Sequence, residues 1–251
     1  MTKPRTAIVT GGGKRVGEAI VRTLLADNWT VVAHVHHNAD PVPDGALKVV
    51  ADLSTTDCAQ RIFAAADGAP SVRLLVNNAA RFALDSLGSA STAEFDAHMA
   101  VNARAPMLLI DELVRRHNGG EALVVNLLDA KLAAPNPDFL SYTVSKYALA
   151  GLTEVAARAL AGRGIRVNAI APALMLPSGD QAEANFGSVH DLNPLRRGVE
   201  VSDVTNALRF LIDSPALTGQ TLLIDGGQQF MALPRDVQFL SLSSDGQFLD
   251  G

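Results

Sequence analysis

The stretch Thr6-Ala7-Ile8-Val9-Thr10-Gly11-Gly12-Gly13-Lys14-Arg15-Val16-Gly17 decides the fold. A short apolar run meets three glycines, and behind them apolar residues recur at helical spacing: Val16, Ile20 and Leu24. The run reads as a buried strand, and the spacing predicts a helix opening directly out of the turn. Glycine permits backbone angles closed to other residues and lets a ligand approach the main chain. The first turn of a helix has N–H groups without acceptors and carries the positive end of the helix dipole. Strand, glycine turn and helix together suit a pyrophosphate. Gly11, Lys14, Arg15 and Val16 are the candidate binding residues there.

The same alternation continues along the chain. Strands are expected at Thr30–Ala33, Leu47–Val50, Leu74–Val76, Leu123–Asn126, Ile165–Ile170 and Thr221–Ile224, with helical stretches between most of them. Apolar strands that do not alternate with polar residues belong in a parallel sheet covered on both faces. Right-handed crossovers then give an α/β, doubly wound sheet of about seven strands with helices on both faces, and ligands beyond the carboxyl ends of the strands. Asp52, Asn78, Asp129 and Pro172 fall at such ends. No linker or repeat divides residues 1–251, so one domain is expected. Residues 173–200, with Pro177, Gly179, Gly187 and Pro194, read as a loop-rich excursion near the site, either a lid or an ordinary surface loop. The tail from Leu233 to Gly251 is expected either to pack on a neighbouring subunit or to be partly disordered.

Composition narrows the function. With 48% hydrophobic residues in 251, the chain can bury a large core, and its net charge of −5 has no basic run to offer a nucleic acid. The single cysteine, Cys58, excludes an internal disulfide framework. The first residues resemble neither a signal peptide nor a membrane span, which predicts a cytosolic protein.

Tyr142 and Lys146 stand four residues apart, which puts a phenol and an ammonium on one face of a helix. The ammonium is expected to lower the phenol's pKa and make it usable for proton transfer near neutrality. Asp129 precedes the tyrosine by thirteen residues. At the end of the second strand the run His34-Val35-His36-His37-Asn38 has no acid until Asp40. An acid there would accept from an adenosine ribose and repel a 2′-phosphate, whereas imidazoles and an amide can donate to one. His36, His37 and Asn38, with Lys14 and Arg15 nearby, therefore predict NADPH rather than NADH. No metal is expected, because the histidines lack an acid partner at ligand spacing.

Six motifs now stand in order: the glycine turn, Asp52-Leu53, Asn77-Asn78-Ala79, Asn102, Tyr142 with Lys146, and Val167-Asn168 with Pro172. Over residues 5–230 the chain resembles the short-chain dehydrogenase/reductase family. That resemblance implies a Rossmann-type fold, a nicotinamide cofactor, a small-molecule substrate and often a homotetramer. It also implies roles. Asp52 and Leu53 would hold the adenine, and Asn78 and Ala79 would line the cofactor groove. Asn102 would support a proton relay through water and Lys146. Tyr142 would transfer the proton, and Lys146 would bind the nicotinamide ribose.

Three positions depart from the common family pattern: Arg15 and Ala173 stand where glycine is usual, and Asp129 where serine is usual. The first and last resemble the pteridine reductase branch of the family, which includes the dihydromonapterin-type reductases. His34-Val35-His36-His37-Asn38 resembles that branch's H-x-H-R-S run. Asn78-Ala79-Ala80-Arg81-Phe82 resembles its N-A-S-x-F segment, in which the phenylalanine stacks on the pterin; Ala80 here replaces the serine. Taken alone, Phe82 also reads as a core aromatic and Asp129 as a helix cap.

The acid matters chemically. A serine donates to a carbonyl oxygen that gains negative charge as hydride arrives. An ionised Asp129 would oppose that charge by about 4 kcal/mol at about 4 Å and an effective dielectric of about 20. A pterin instead offers N–H and amino donors to a carboxylate, and its reduced C=N bond needs a proton at nitrogen. The expectation is NADPH-dependent reduction of a dihydropterin, with Asp129, Tyr142, Phe82 and Arg15 at the substrate. Two alternatives stay open: a carbonyl reductase of the same family, and a nucleotide-binding sensor without turnover.

Overall fold

The computed structural model describes residues 4–177, 183–231, 233–242 and 248–249. Gly179 of the loop-rich excursion and most of the last nine residues of the tail lie outside them. Seven strands form one sheet: β1 Thr6–Val9, β2 Thr30–Val35, β3 Leu47–Val50, β4 Val72–Asn77, β5 Ala122–Leu127, β6 Ile165–Pro172 and β7 Thr221–Ile224. Every neighbouring pair is parallel, in the order β3-β2-β1-β4-β5-β6-β7. The helices are α1 Arg15–Ala26, α2 Cys58–Ala64, α3 Thr92–Met99, α4 Ala105–Arg116, α5 Leu140–Leu160, α6 Glu183–Val189 and α7 Val201–Asp213. A five-residue π-turn, Ala100–Arg104, joins α3 to α4.

The strands show why both faces are covered. In β1, Ile8 enters one core with Phe63, Leu75, Leu109 and Val124. Its neighbours Ala7 and Val9 enter the other, with Ile20, Leu24, Leu74, Val125 and Leu208. Successive side chains of a strand point to opposite faces, so each strand feeds two cores. α2, α4 and α5 cover the first face, and α1 and α7 the second. Burying one such side chain contributes about 1.5–3 kcal/mol, so the alternation fixes the layers. The winding reverses between β1 and β4, and the crevice beyond their carboxyl ends is where such folds bind ligands.

Two glycines of the opening turn are required by contact. Gly11 has φ +65°, and a Cβ on Gly17 would lie 1.9 Å from the Gly11 oxygen, so α1 can sit on the turn only without a side chain there. The described start of the tail packs on its own chain. Leu233, Val237 and Leu240 pack with Val189 of α6, closing the excursion and the tail together. No helix among the described residues is long and apolar enough to cross a membrane.

Candidate active site

A cavity of about 500 Å³ opens beyond the carboxyl ends of β1, β4, β5 and β6; its wall includes Arg15, Phe82, Asp129, Tyr142, Lys146 and Asp236. Val16, Asn78, Ala80 and Pro172, expected from sequence, also line it.

Tyr142 and Lys146 come from the first two turns of α5. That helix begins at Phe139, which is left-handed (φ 55°) and makes no side-chain cap. Its N-terminus is capped from a distance. Asp85, just past the Phe82 segment, accepts from the Ser141 amide at 2.9 Å and from the Ser141 hydroxyl. The Asp85 carbonyl accepts from Leu140 N. One carboxylate thus ties the segment bearing Phe82 to the helix bearing the tyrosine.

Asp129 lies just past β5. Its Oδ1 accepts from Lys131 N at 2.8 Å, and its Oδ2 accepts from the Tyr142 phenol at 2.7 Å. The acid therefore caps the short turn Ala130–Leu132 with one oxygen and faces the tyrosine with the other. Burial raises its pKa above the usual carboxylate value, although Lys131 N, Tyr142 and Lys146 pull the other way.

The tyrosine departs from the expectation. Its pKa is raised well above 10, first by burial and then by the Asp129 carboxylate that accepts its proton. Burial also lowers Lys146 to about 8. The ammonium donates to the Leu127 carbonyl at 2.6 Å and lies 5.6 Å from the Tyr142 ring. Four residues along the helix put the two groups together, as read from the spacing. Burial, seconded by the acid beside the phenol, raises the pKa that the ammonium was expected to lower.

Asn102 sits inside the π-turn. Its Oδ1 accepts from Arg81 N, and its amide donates to the Arg81 carbonyl and to Ser145 Oγ. It therefore bridges the loop segment after Asn78 to α5, and its side chain bonds Ser145 rather than Lys146. Phe82 stacks on Phe139 at 4.3 Å and meets Tyr142 edge-on at 4.7 Å, while 38% of it remains exposed. It is a pocket wall rather than a core residue.

Arg15 has φ 54°, a left-handed conformation in a non-glycine residue. Such a residue costs about 1–2 kcal/mol, which accounts for glycine being the easier choice at this position. Its guanidinium donates to the Pro177 carbonyl at 2.7 Å, holding down the segment that follows β6.

The remaining cofactor candidates fall into three groups. Asn78 Nδ2 donates to the Thr10 and Gly11 carbonyls, and the amides of Asn78 and Ala79 donate to Thr10 Oγ1, so this pair shapes the glycine turn. Leu53 is buried in the core, whereas Asp52 is exposed and closes its own turn through Ser54 N. His36, His37 and Asn38 are exposed at the end of β2, as is Lys14 on the turn. Asp40, the nearest acid, accepts from His37 N at 2.9 Å. His34 departs from the run it begins: it is only 2% exposed and turns inward.

The tail brings residues that no local pattern announced. Arg235 holds the Asp138 carboxylate at 3.0 Å, and Asp236 lies 3.3 Å from Lys131 Nζ. Asp236 N also donates to Asp138. The segment 233–240 thereby closes over its own chain's pocket, and Asp236 adds a second carboxylate to it. Asp138 carries the one usable signal, an acid just ahead of a helix. Nothing in the sequence links it to a partner 97 residues away.

Comparison with known proteins agrees with this geometry. A family model described as enoyl-(acyl carrier protein) reductase matches residues 14–229. Pteridine reductase 1 of Leishmania tarentolae is 30% identical, the match covering 88% of this chain and 95% of that protein. L-xylulose reductase of Bos taurus is 33% identical over 89% and 96%. FolM alternative dihydrofolate reductase 1 from Brucella suis, solved in complex with NADP, superposes with a TM-score of 0.84 at 34% identity, covering 92% of this chain and 97% of that one. The matched residues take in six of the seven strands and the whole of α5, and so the chain belongs to the short-chain dehydrogenase/reductase family of oxidoreductases.

Proposed function

We propose that the protein uses NADPH to reduce a dihydropterin to its tetrahydro form. The observation that carries this reading is the Tyr142 phenol donating to a partly buried Asp129 carboxylate inside the pocket. The relatives named pteridine reductase and alternative dihydrofolate reductase support the same chemistry.

The residues at the cofactor end fit the coenzyme. A glycine turn with no room for side chains opens α1, and the exposed imidazoles of His36 and His37 would donate to a 2′-phosphate. The NADP bound in the Brucella suis relative agrees with this choice. When bound, NADPH supplies the hydride.

The chain's own groups supply the rest. Asp129 and Tyr142 share one hydrogen bond, and burial favours the neutral form of each. Together they accept donors from the ring edge and deliver one proton to the nitrogen of the C=N bond as its carbon takes the hydride. Lys146 keeps a positive charge beside that pair and offers donors to a ribose. The face of Phe82 not covered by Phe139 provides a flat wall for the ring.

A second reading, carbonyl reduction, is favoured by one observation. Asp129 with its raised pKa can hold a proton and donate it to a carbonyl oxygen, as a serine would. Purified protein should oxidise NADPH with dihydromonapterin, dihydrobiopterin or dihydrofolate. Turnover of ketones or sugars with none of these three selects the carbonyl reading. Tight NADPH binding without any hydride transfer leaves the sensor.

A further inference from the structure

His34 is the one histidine of its run that faces inward. Its Nδ1 lies 3.2 Å from Gly11 N, and its Nε2 lies 3.0 Å from the Ala51 carbonyl. A backbone N–H can only donate, so Nδ1 must be the unprotonated nitrogen. Nε2 then carries the hydrogen and donates to Ala51. The carbonyl of the same residue accepts from Gly12 N at 2.8 Å. One residue thus takes up two successive N–H groups of the glycine turn. It also ties that turn to the end of β3, where Asp52 follows.

The turn has little freedom to give way. Asn78 holds its carbonyls from the other side, and a Cβ on Gly11 would already stand 3.1 Å from the backbone of Ala79. A proton added to Nδ1 would put two donors face to face between these walls. The turn would have to leave the shape that presents the first amides of α1 to a phosphate.

We propose that His34 is a positioning residue for the cofactor: its neutral, Nε2-protonated imidazole holds the glycine turn in the phosphate-accepting shape, and protonation weakens binding. The inference rests on the cofactor reading above and is independent of the substrate. The charged groups that act on the ring are Asp52, beyond β3, and His36, just past the end of β2; they oppose each other. Burial is the larger influence and keeps the ring neutral below its ordinary 6.5, so the loss of affinity lies on the acid side of that value. By reciprocity, bound cofactor must make His34 harder to protonate.

The test follows the imidazole nitrogens of 15N-labelled protein by NMR through an acid titration, with and without saturating NADPH. The His34 signals are assigned by their loss in His34→Asn. The expected result is the Nε2–H tautomer at neutral pH and a titration midpoint that moves to lower pH when NADPH is added. In parallel, NADPH affinity is measured by fluorescence titration. His34→Asn keeps an acceptor for Gly11 N but cannot titrate; whatever its affinity at about pH 8, that affinity should lack the wild type's further acid-side weakening. A midpoint unmoved by NADPH, the Nδ1–H tautomer, or equal acid-side weakening in His34→Asn overturns the proposal. Absence of NADPH binding by wild type at neutral pH removes the cofactor reading and this inference with it. Binding without pterin turnover leaves this inference standing and removes only the substrate.

Discussion

The Tyr142 phenol donates to Asp129 Oδ2 at 2.7 Å, with the phenol buried and the acid partly so, and the two side chains hold protons as one unit. Tyr142→Phe and Asp129→Asn should each lower kcat/KM for a dihydropterin by about 100-fold or more, with NADPH affinity nearly unchanged. The double variant should be little worse than either single one, because removing half of a unit removes its function. Steady-state kinetics on the three proteins checks this; fully multiplicative losses would show independent roles.

Lys146 gives a stability signature. Its folded pKa of about 8 lies below its ordinary 10.5, so the unfolded chain binds the extra proton between those values. Stability contributed by this group is full above about 10.5 and is lost as pH falls through about 8. Between about pH 8 and pH 10 the wild type should gain about 2 kcal/mol relative to Lys146→Met. The window stops there because Tyr142, with its raised pKa, begins to act in the opposite direction. Urea unfolding of both proteins at a series of pH values measures the difference.

Arg15→Gly should separate stability from activity. The left-handed φ of 54° suits glycine better, so the variant should be as stable as wild type or more stable by up to about 1 kcal/mol. It also loses the bond to the Pro177 carbonyl. The KM for substrate should rise severalfold while the melting temperature holds or increases; paired melting and kinetic measurements read both.

Phe82→Ala removes a wall that is 38% exposed and stacked on Phe139. Loss of one aromatic face costs about 1 kcal/mol or more, so KM for a pterin should rise about tenfold. A small aliphatic ketone should feel much less. The ratio of kcat/KM for the two substrates decides whether the ring stacks there.

Arg235→Ala should loosen the tail. Its pair with Asp138 is partly exposed and screened by solvent, so the effect on global stability should be small. Amide exchange over residues 233–240 should accelerate, and substrate KM should rise with NADPH affinity unchanged. Exchange as slow as in wild type would assign the tail's hold to Leu233, Val237 and Leu240 alone.

The strands were legible because each is a short apolar run bounded by turn residues, and all seven stand where the pattern placed them. Tyr142, Lys146 and Asp129 were legible because a helical interval and a strand end put them in one pocket. The sign of the tyrosine's shift was not, since it depends on burial and on which oxygen of Asp129 points inward. His34 was read with its exposed neighbours. Strand alternation alone could not tell that the ring would turn to Gly11. Asp85, Asp138, Arg235 and Asp236 act across 56 to 105 residues of chain, and no local period carries such a pairing.

The π-turn at Ala100–Arg104 resets the rotational phase between two helices. Each residue rotates the following side chains by about 100°. α3 meets α5 and α4 meets α2, a division of partners that a rod of even pitch would not give with Asn102 aimed inward between them. Deleting Val101 or Ala103 would keep Asn102 and every other side chain of the site and still misdirect it, so the register of the backbone is as much a requirement of the site as the identity of its residues.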